Sequence, residues 1–299
     1  MMAFQTDHLD TLLALAEEGT FESAAARLHV TPSAISQRIK ALEQSSGQVL
    51  VQRSNPVLMT DAGMVVLRLA RQLALLHADA EAALHPDADR RGLLSISLAV
   101  NADSLATWFL SAVAGLSRSL GVVFDIHRED QEYTTALLRS GAVMAAVTST
   151  ATAVQGCSVV PLGVMRYRAV CSPAFAQAWA GGPGDPVDYG SAPAVTYDRK
   201  DTLQADFLAA SGRTEVGSAR HYVPSSSEFA RAVVLGFGWA LLPEQQCLAE
   251  LQRGELVELV PGSRTDIALY WQRWNLTSPL LDALTNSVRS GAASSLHAL

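Results

Sequence analysis

Apolar positions in the first 84 residues recur at helical spacing, and polar or glycine stops divide them into separate pieces. Leu9, Leu12, Leu13 and Ala16 form one stripe that stops at Gly19. Thr20 is placed to cap a short second helix from Phe21 to Leu28, with Ala24, Ala25 and Leu28 inward. After His29 and Val30, Thr31 can cap a third helix. Its first turn accepts Pro32, because a missing N–H costs nothing there. Ile35, Ile39 and Leu42 make its buried stripe, and Gly47 ends it. Residues 49–59 (VLVQRSNPVLM) turn to β character around Ser54-Asn55-Pro56, which predicts a short hairpin or wing. Thr60 then caps a longer helix to about Leu84, with Met64, Leu67, Leu73, Ala74 and Ala80 as its apolar surface. A helix this long needs a partner, and a second copy of itself is the simple choice. His85-Pro86 and the polar stretch to Gly92 read as a linker.

From Leu93 the rhythm changes. Short apolar strands alternate with amphipathic helices: LLSISLAV, a helix near 104–119, VVFDIH, a helix near 132–140, AVMAAVTS. A second round starts near Arg166 with RYRAVCS, PAVTYD, a helix near 200–210, ARHYV, a helix near 226–235 and GWALLP. IALYWQR and a closing helix end the chain. Such alternation predicts an α/β sheet in two lobes with a ligand cleft between them.

Composition narrows the classes. With 49% hydrophobic and 17% charged residues, the 299-residue chain is not mainly disordered. No apolar run approaches the ~18 residues of a membrane span. The start, MMAFQTDHLD, lacks the basic flank and apolar core of a signal peptide. Cys157, Cys171 and Cys247 contain no C-x-x-C, which fits a reducing cytoplasm and excludes a cysteine zinc site. There is no G-x-S-x-G, no G-x-x-x-x-G-K-[ST] and no H-E-x-x-H, and the seven histidines are scattered. Neither an enzyme, a metal nor a cofactor is expected.

The net charge of −7 argues at first against a nucleic-acid partner. Its placement removes the objection. Residues 1–60 hold six acidic and four basic side chains, but Asp7, Asp10, Glu17 and Glu18 all precede Gly19. From 31 to 53 three basic residues face one acidic. The short helix, tight turn and helix at 20–44 is the unit that lays its second helix in the DNA major groove. The hydroxyls of Thr31, Ser33 and Ser36 and the backbone N–H groups around Pro32 at the helix start suit phosphates, and Lys40 lies on the same outward side. Gln37 can read adenine, Arg38 guanine or phosphate, and Arg53 on the wing a flanking phosphate or the minor groove. The competing reading is a plain helical hairpin with a solvated face.

The run FESAAARLHVTPSAISQRIKALEQSSGQVLVQR, followed by LMTDAG, resembles the winged helix-turn-helix of LysR-type transcriptional regulators. The likeness extends through the long helix, a two-lobe α/β domain and GFGWALLPE at 236–244. NADSLATW, SSSEFARAVVLGFG and LYWQRW are similar to the ArgP/LysG branch, whose members respond to lysine and arginine. The wing, RSNPVLMT, is shorter than the family's usual form. The resemblance implies a cytoplasmic regulator that binds a double-stranded DNA operator as a homodimer or homotetramer, with RNA polymerase as a further partner. It implies a DNA-binding domain at 1–60, a linker helix and hinge at 61–91, and a periplasmic-binding-protein-like effector domain. The lobes of that domain would be 92–163 plus 268–299, and 164–267.

A free amino acid needs donors for its carboxylate, which helix N-termini supply. Asp103-Ser104 and Ser225-Ser226-Ser227 are such starts, and in the family's architecture they face each other across the cleft. Thr148 and Ser149 add hydroxyls at a strand end. A cationic side chain needs carboxylates and aromatic faces. Asp103, Glu129, Asp130, Asp198 and Glu228 are the acidic candidates; Trp108, Tyr133, Tyr197 and Trp271 are the aromatic ones. Against each stands a plainer role as a helix cap or core aromatic. The rival from another class is a solute-binding protein or enzyme on a similar two-lobe core, and the helical front end opposes it.

Overall fold

The computed structural model describes residues 4–85, 94–128, 131–179, 191–212 and 219–299. The expected linker at 86–92 lies outside them, as do Glu129 and Asp130.

Helices α1 (Thr6–Glu18), α2 (Phe21–Arg27) and α3 (Pro32–Ser46) enclose one core with the start of α4 (Asp61–Leu84). Three threonines set three of the starts. The Thr20, Thr31 and Thr60 hydroxyls accept from the backbone N–H groups of Ser23, Ala34 and Gly63 at 3.1, 3.2 and 3.0 Å. Gly19 and Gly47 end α1 and α3 in the left-handed conformation, at φ 74° and 66°. Ile35, Ile39 and Leu42 are buried. Strands β1 (Val51–Gln52) and β2 (Leu58–Met59) form the expected antiparallel hairpin. Gly63 lies against it so closely that a Cβ there would stand 2.0 Å from the Leu50 carbonyl oxygen.

Strand β3 (Leu94–Val100) leads into one continuous helix: α5 (Ala102–Ser104), a π-helical turn (Leu105–Phe109) and α6 (Leu110–Leu120). Next come β4 (Val122–Arg128), α7 (Gln131–Ser140), β5 (Ala145–Thr148) and β6 (Cys157–Cys171). The second round holds α8 (Pro173–Trp179), β7 (Ala194–Thr196), α9 (Leu203–Ala210), β8 (Arg220–Tyr222), α10 (Ser226–Val234), β9 (Ala240–Pro243), α11 (Glu244–Arg253) and β10 (Val257–Glu258). β11 (Thr265–Trp274) and α12 (Pro279–Ser295) close the chain.

The strands β10-β6-β11-β5-β3-β4 lie in that order, with β9 also on β6. β3 runs parallel to β4 and β5, while β11 is antiparallel to both β5 and β6. β6 is shared. Its early residues pair with β11, and Tyr167–Cys171 pair with β9 and β10 of the second half. β6 therefore starts nine residues before the expected Arg166. Pro161 and Gly163 disguise the strand, because they sit at a register shift against Leu269 and Tyr270, where an irregularity tolerates them. The expected lobe boundaries at 163/164 and 267/268 fall inside β6 and β11. Helices α8 and α11 were not expected either; α11 (EQQCLAELQR) buries only Glu244 and Cys247, too little for an apolar stripe.

Candidate nucleic-acid interface and effector cleft

Helical geometry sorts the α3 candidates. At 100° per residue, Ser33, Gln37 and Lys40 fall opposite the Ile35–Ile39–Leu42 stripe, with Ser36 on the flank. Thr31, Pro32, Ser33, Gln37 and Lys40 are exposed, and Ser36 is half-buried. Thr31 is partly committed, since its hydroxyl caps α3 and lies 2.9 Å from that of Ser33. Arg38 corrects the expectation of an outward base reader. Three residues after Ile35 and four before Leu42, it lies beside the buried stripe and turns back onto α1. Its guanidinium donates to the Thr11 hydroxyl at 3.4 Å and pairs with Asp7 at 3.6 Å. Arg53 is exposed on the wing, with its guanidinium 5.6 Å from the Phe21 ring centroid.

Three of the four acidic residues of α1, Asp7, Glu17 and Glu18, are paired within the domain. Arg27 bonds Glu17 and Glu18, as Arg38 does Asp7. The face carrying Ser33, Gln37 and Lys40 is left without an acidic side chain among these positions, and that face suits phosphate and base edges.

The second site is a cavity of about 610 Å³ in the α/β region. Asn101–Asp103 line it from the first half, and Tyr197, Asp198 and Lys200–Gln204 from the second. Tyr167 and Ile267 line it from the shared strands β6 and β11. Four aspartates, Asp103, Asp198, Asp201 and Asp206, face one lysine, Lys200.

Asp103 is the joint between the halves. Tyr167 donates its hydroxyl to one carboxylate oxygen at 2.7 Å, and Ser226, on the first turn of α10, donates to the other at 2.8 Å. Gln246 in turn donates to the Ser226 hydroxyl at 3.0 Å. Burial, offset in part by those two hydrogen bonds, pushes the Asp103 carboxyl above its ordinary value. Burial and the adjacent Asp103 charge push the Tyr167 phenol well up, so it stays a donor. Asp198 and Asp201 shape the loop after β7. Asp198 accepts from the N–H groups of Lys200 and Asp201 at 2.7 and 3.0 Å. Asp201 accepts from those of Tyr197 and Leu203 at 2.9 and 3.0 Å.

Several candidates lie elsewhere. Trp108 and Trp271 are core, not cleft: both are buried, Phe109 contacts each ring, and the Trp271 indole donates to Thr285 at 3.1 Å. Inward positions of a helix and a central strand point such large rings into the packed interior. Glu228 is exposed and accepts from the Ser225 hydroxyl, a helix-start contact that holds its carboxyl below the usual value. Thr148 is buried, accepts from the Thr150 N–H at 3.1 Å, and with half-buried Ser149 lies outside the cavity lining. Ser104 is fully buried with its hydroxyl unpartnered. Tyr197 lines the cavity; Glu129, Asp130 and the Tyr133 side chain lie outside what the structure describes. Tyr167, Asp201, Asp206 and Gln246 were not anticipated. Tyr167 alternates with Met165 and Ala169 on the buried face of β6, and this period-2 pattern is the signal that could have found it.

A family model described as "Bacterial regulatory helix-turn-helix protein, lysR family" matches residues 6–64. The LysR substrate binding domain matches 88–293. The chain belongs to the LysR family. This LysR-family protein is 42% identical over 285 residues to the HTH-type transcriptional regulator LysG of Mycobacterium tuberculosis, covering 95% of this chain and 92% of the relative. ArgP from Mycobacterium tuberculosis superposes with a TM-score of 0.83 at 40% identity, covering 98% of each chain. Full-length LysG from Corynebacterium glutamicum with bound effector Arg gives 0.76 at 38% identity, covering 98% of this chain and 99% of that one. The chain is thus a DNA-binding transcriptional regulator, not an enzyme. No helix among the described residues is long and apolar enough to cross a membrane.

Proposed function

We propose that this regulator senses a basic amino acid, lysine or arginine, in the cavity around Asp103, and controls genes of basic amino-acid export or metabolism. The observation that carries this reading is the lining: four aspartates against one lysine favour a cationic ligand over an anionic one. Asp198, Asp201 and Asp206 on the loop and helix after β7 offer acceptors for a guanidinium or ammonium group. The N–H groups at the start of α5, beside Asn101, offer donors for an α-carboxylate. The arginine bound by the Corynebacterium relative supports the same class.

In this reading Ser33, Ser36, Gln37, Lys40 and Arg53 meet the operator, and Thr31 and Pro32 set the helix start beside it. The protein acts in the cytoplasm as a homodimer or homotetramer, and RNA polymerase is a further partner. Domain limits of 1–60, 61–91 and 92–299 follow, with the two halves of the last meeting at β6 and β11. Effector binding favours one arrangement of the paired recognition helices by its different affinity for the alternatives.

Isothermal titration of the full chain with L-lysine, L-arginine and L-histidine tests the sensor. Saturable binding of lysine or arginine is the expected result, and none to either sinks the reading. Gel retardation on the promoter regions around its own gene tests the operator. With few cations on the α3 face, the salt dependence should be shallow, roughly one unit of slope per phosphate-contacting cation.

A further inference from the structure

The long helix α4 is not a bare spacer. Its first turns pack in the N-terminal core through Val66, Leu67 and Ala70, whereas Leu75 is fully buried in the core of the α/β region. Arg68, within the first anchor, and Arg71, between the two, have no carboxylate bonded to them among the described residues. Arg71 is only 8% exposed, and it donates to the carbonyl oxygens of Gly141 and Ala142 at 2.6 and 2.8 Å. Arg68 donates to the Arg139 carbonyl at 3.3 Å, and its guanidinium lies 5.7 Å from the Trp274 ring centroid.

The Arg139 carbonyl is in the last turn of α7, and those of Gly141 and Ala142 are in the left-handed turn that follows it, beside the negative pole of that helix, where a cation is favoured. The fit is close. A Cβ on Gly141 would stand 2.3 Å from the Arg68 Cβ, and one on Gly156 would stand 2.8 Å from an Arg68 guanidinium nitrogen. Burying a guanidinium is costly unless it is well bonded, so these contacts define one seating of α4 rather than a sliding surface. The other end of α7 leads to the cleft: β4 before it ends at Arg128, whose guanidinium lies 5.9 Å from the ring centroid of Tyr197 in the cavity lining.

We infer that Arg71 and Arg68 are positioning residues, a latch that seats the linker helix on the C-terminal end of α7 and ties the orientation of the DNA-binding domain to the state of the cleft. The latch stands on the contacts themselves; its coupling role rests on the regulator reading above.

The test uses the full chain and the variants Arg71→Met, Arg71→Lys and Arg68→Met. Hydrogen exchange is followed by mass spectrometry in peptides covering 137–144 and 64–78. For Arg71→Met, exchange in 137–144 should accelerate at least about tenfold, with 6–50 unchanged, and Arg71→Lys should restore part of the protection. Unchanged exchange at 137–144 in both Met variants overturns the latch, as does acceleration spread evenly over the whole chain. A second arm measures affinity for a retarded promoter fragment with and without saturating L-arginine, beside the arginine isotherm. Arg71→Met should bind arginine within twofold of the parent while the arginine-induced change in DNA affinity falls toward none. A full parental response in Arg71→Met overturns the coupling role. A parent chain that ignores arginine sinks the preceding reading and the coupling role with it, while exchange still decides the latch.

Discussion

The α3 face and the aspartate-lined cavity both present polar groups to a partner, but they are assembled in opposite ways. On α3 the candidates lie within residues 31–53, on one helix and the hairpin after it, mostly exposed and facing water. In the cavity, Asp103 and Ser226 are 123 positions apart, and Tyr167 arrives on a third element. Polar groups on α3 wait for an aqueous interface, so DNA replaces water. Those around Asp103 already satisfy one another, so a ligand reaching Asp103 would have to exchange hydrogen bonds that join the two halves. A site whose polar groups are mutually bonded is suited to report a ligand; one whose groups face water is suited only to bind.

The sharpest way to break this comparison is to destroy one site and watch the other. Ile39→Ala removes a fully buried side chain from the N-terminal core and should cost about 2–5 kcal/mol there. Thermal melts should show early loss of the N-terminal unit and of DNA retardation, with the arginine isotherm retained. An equal loss of arginine binding would mean the two regions fold as one.

Asp103→Asn comes next, with arginine affinity expected to fall about 10- to 100-fold, the ~1–3 kcal/mol of a charge-assisted bond, while DNA binding without effector persists. The raised carboxyl also sets a pH signature. Because Asp103 takes up its proton above the ordinary value of 3.8, arginine affinity should begin to fall at a higher pH than an ordinary carboxylate would give. For stability the sign is opposite. The protonated form favours the fold at low pH, and that contribution is lost as pH rises through the raised value. Asp103→Asn should therefore remove this contribution to the pH dependence of the melting temperature. Titration calorimetry and melts from pH 4 to 8 check both.

On the DNA side, Gln37→Ala should cost about 1–3 kcal/mol and relax selectivity at one base, whereas Lys40→Ala should weaken all sequences and reduce the salt slope by roughly one unit. Arg38→Ala is the smallest effect. Its pairing with Asp7 is partly exposed, so about 0.2–1 kcal/mol of N-terminal stability is at stake, with base selectivity unaltered. A change of base preference would restore Arg38 as a reader.

Much of the N-terminal unit was legible because its determinants are local. Thr20, Thr31 and Thr60 cap the helices they precede, and Gly47 ends α3 where a left-handed residue is needed. Arg38 was misjudged from a stripe of three residues, since its neighbours along the helix, Ile35 and Leu42, set its direction more strongly than its charge does. In the cleft, Asp103 and Ser226 were legible as helix-start positions, but Trp108 and Trp271 were not legible as core. A lone aromatic in a helix or strand gives no sign of what packs over it.

Local rules thus determined from the sequence alone the helix-turn-helix, its caps, its wing and the outward residues Ser33, Gln37 and Lys40. They also determined the alternation that makes the α/β region. Only the tertiary structure decided which aspartates share a cavity, that Ser226 bonds Asp103, and that Arg71 meets the end of α7. Helix and strand periods specify which way a side chain faces within its own element. What it meets there depends on how distant elements pack, and no period in the chain carries that information.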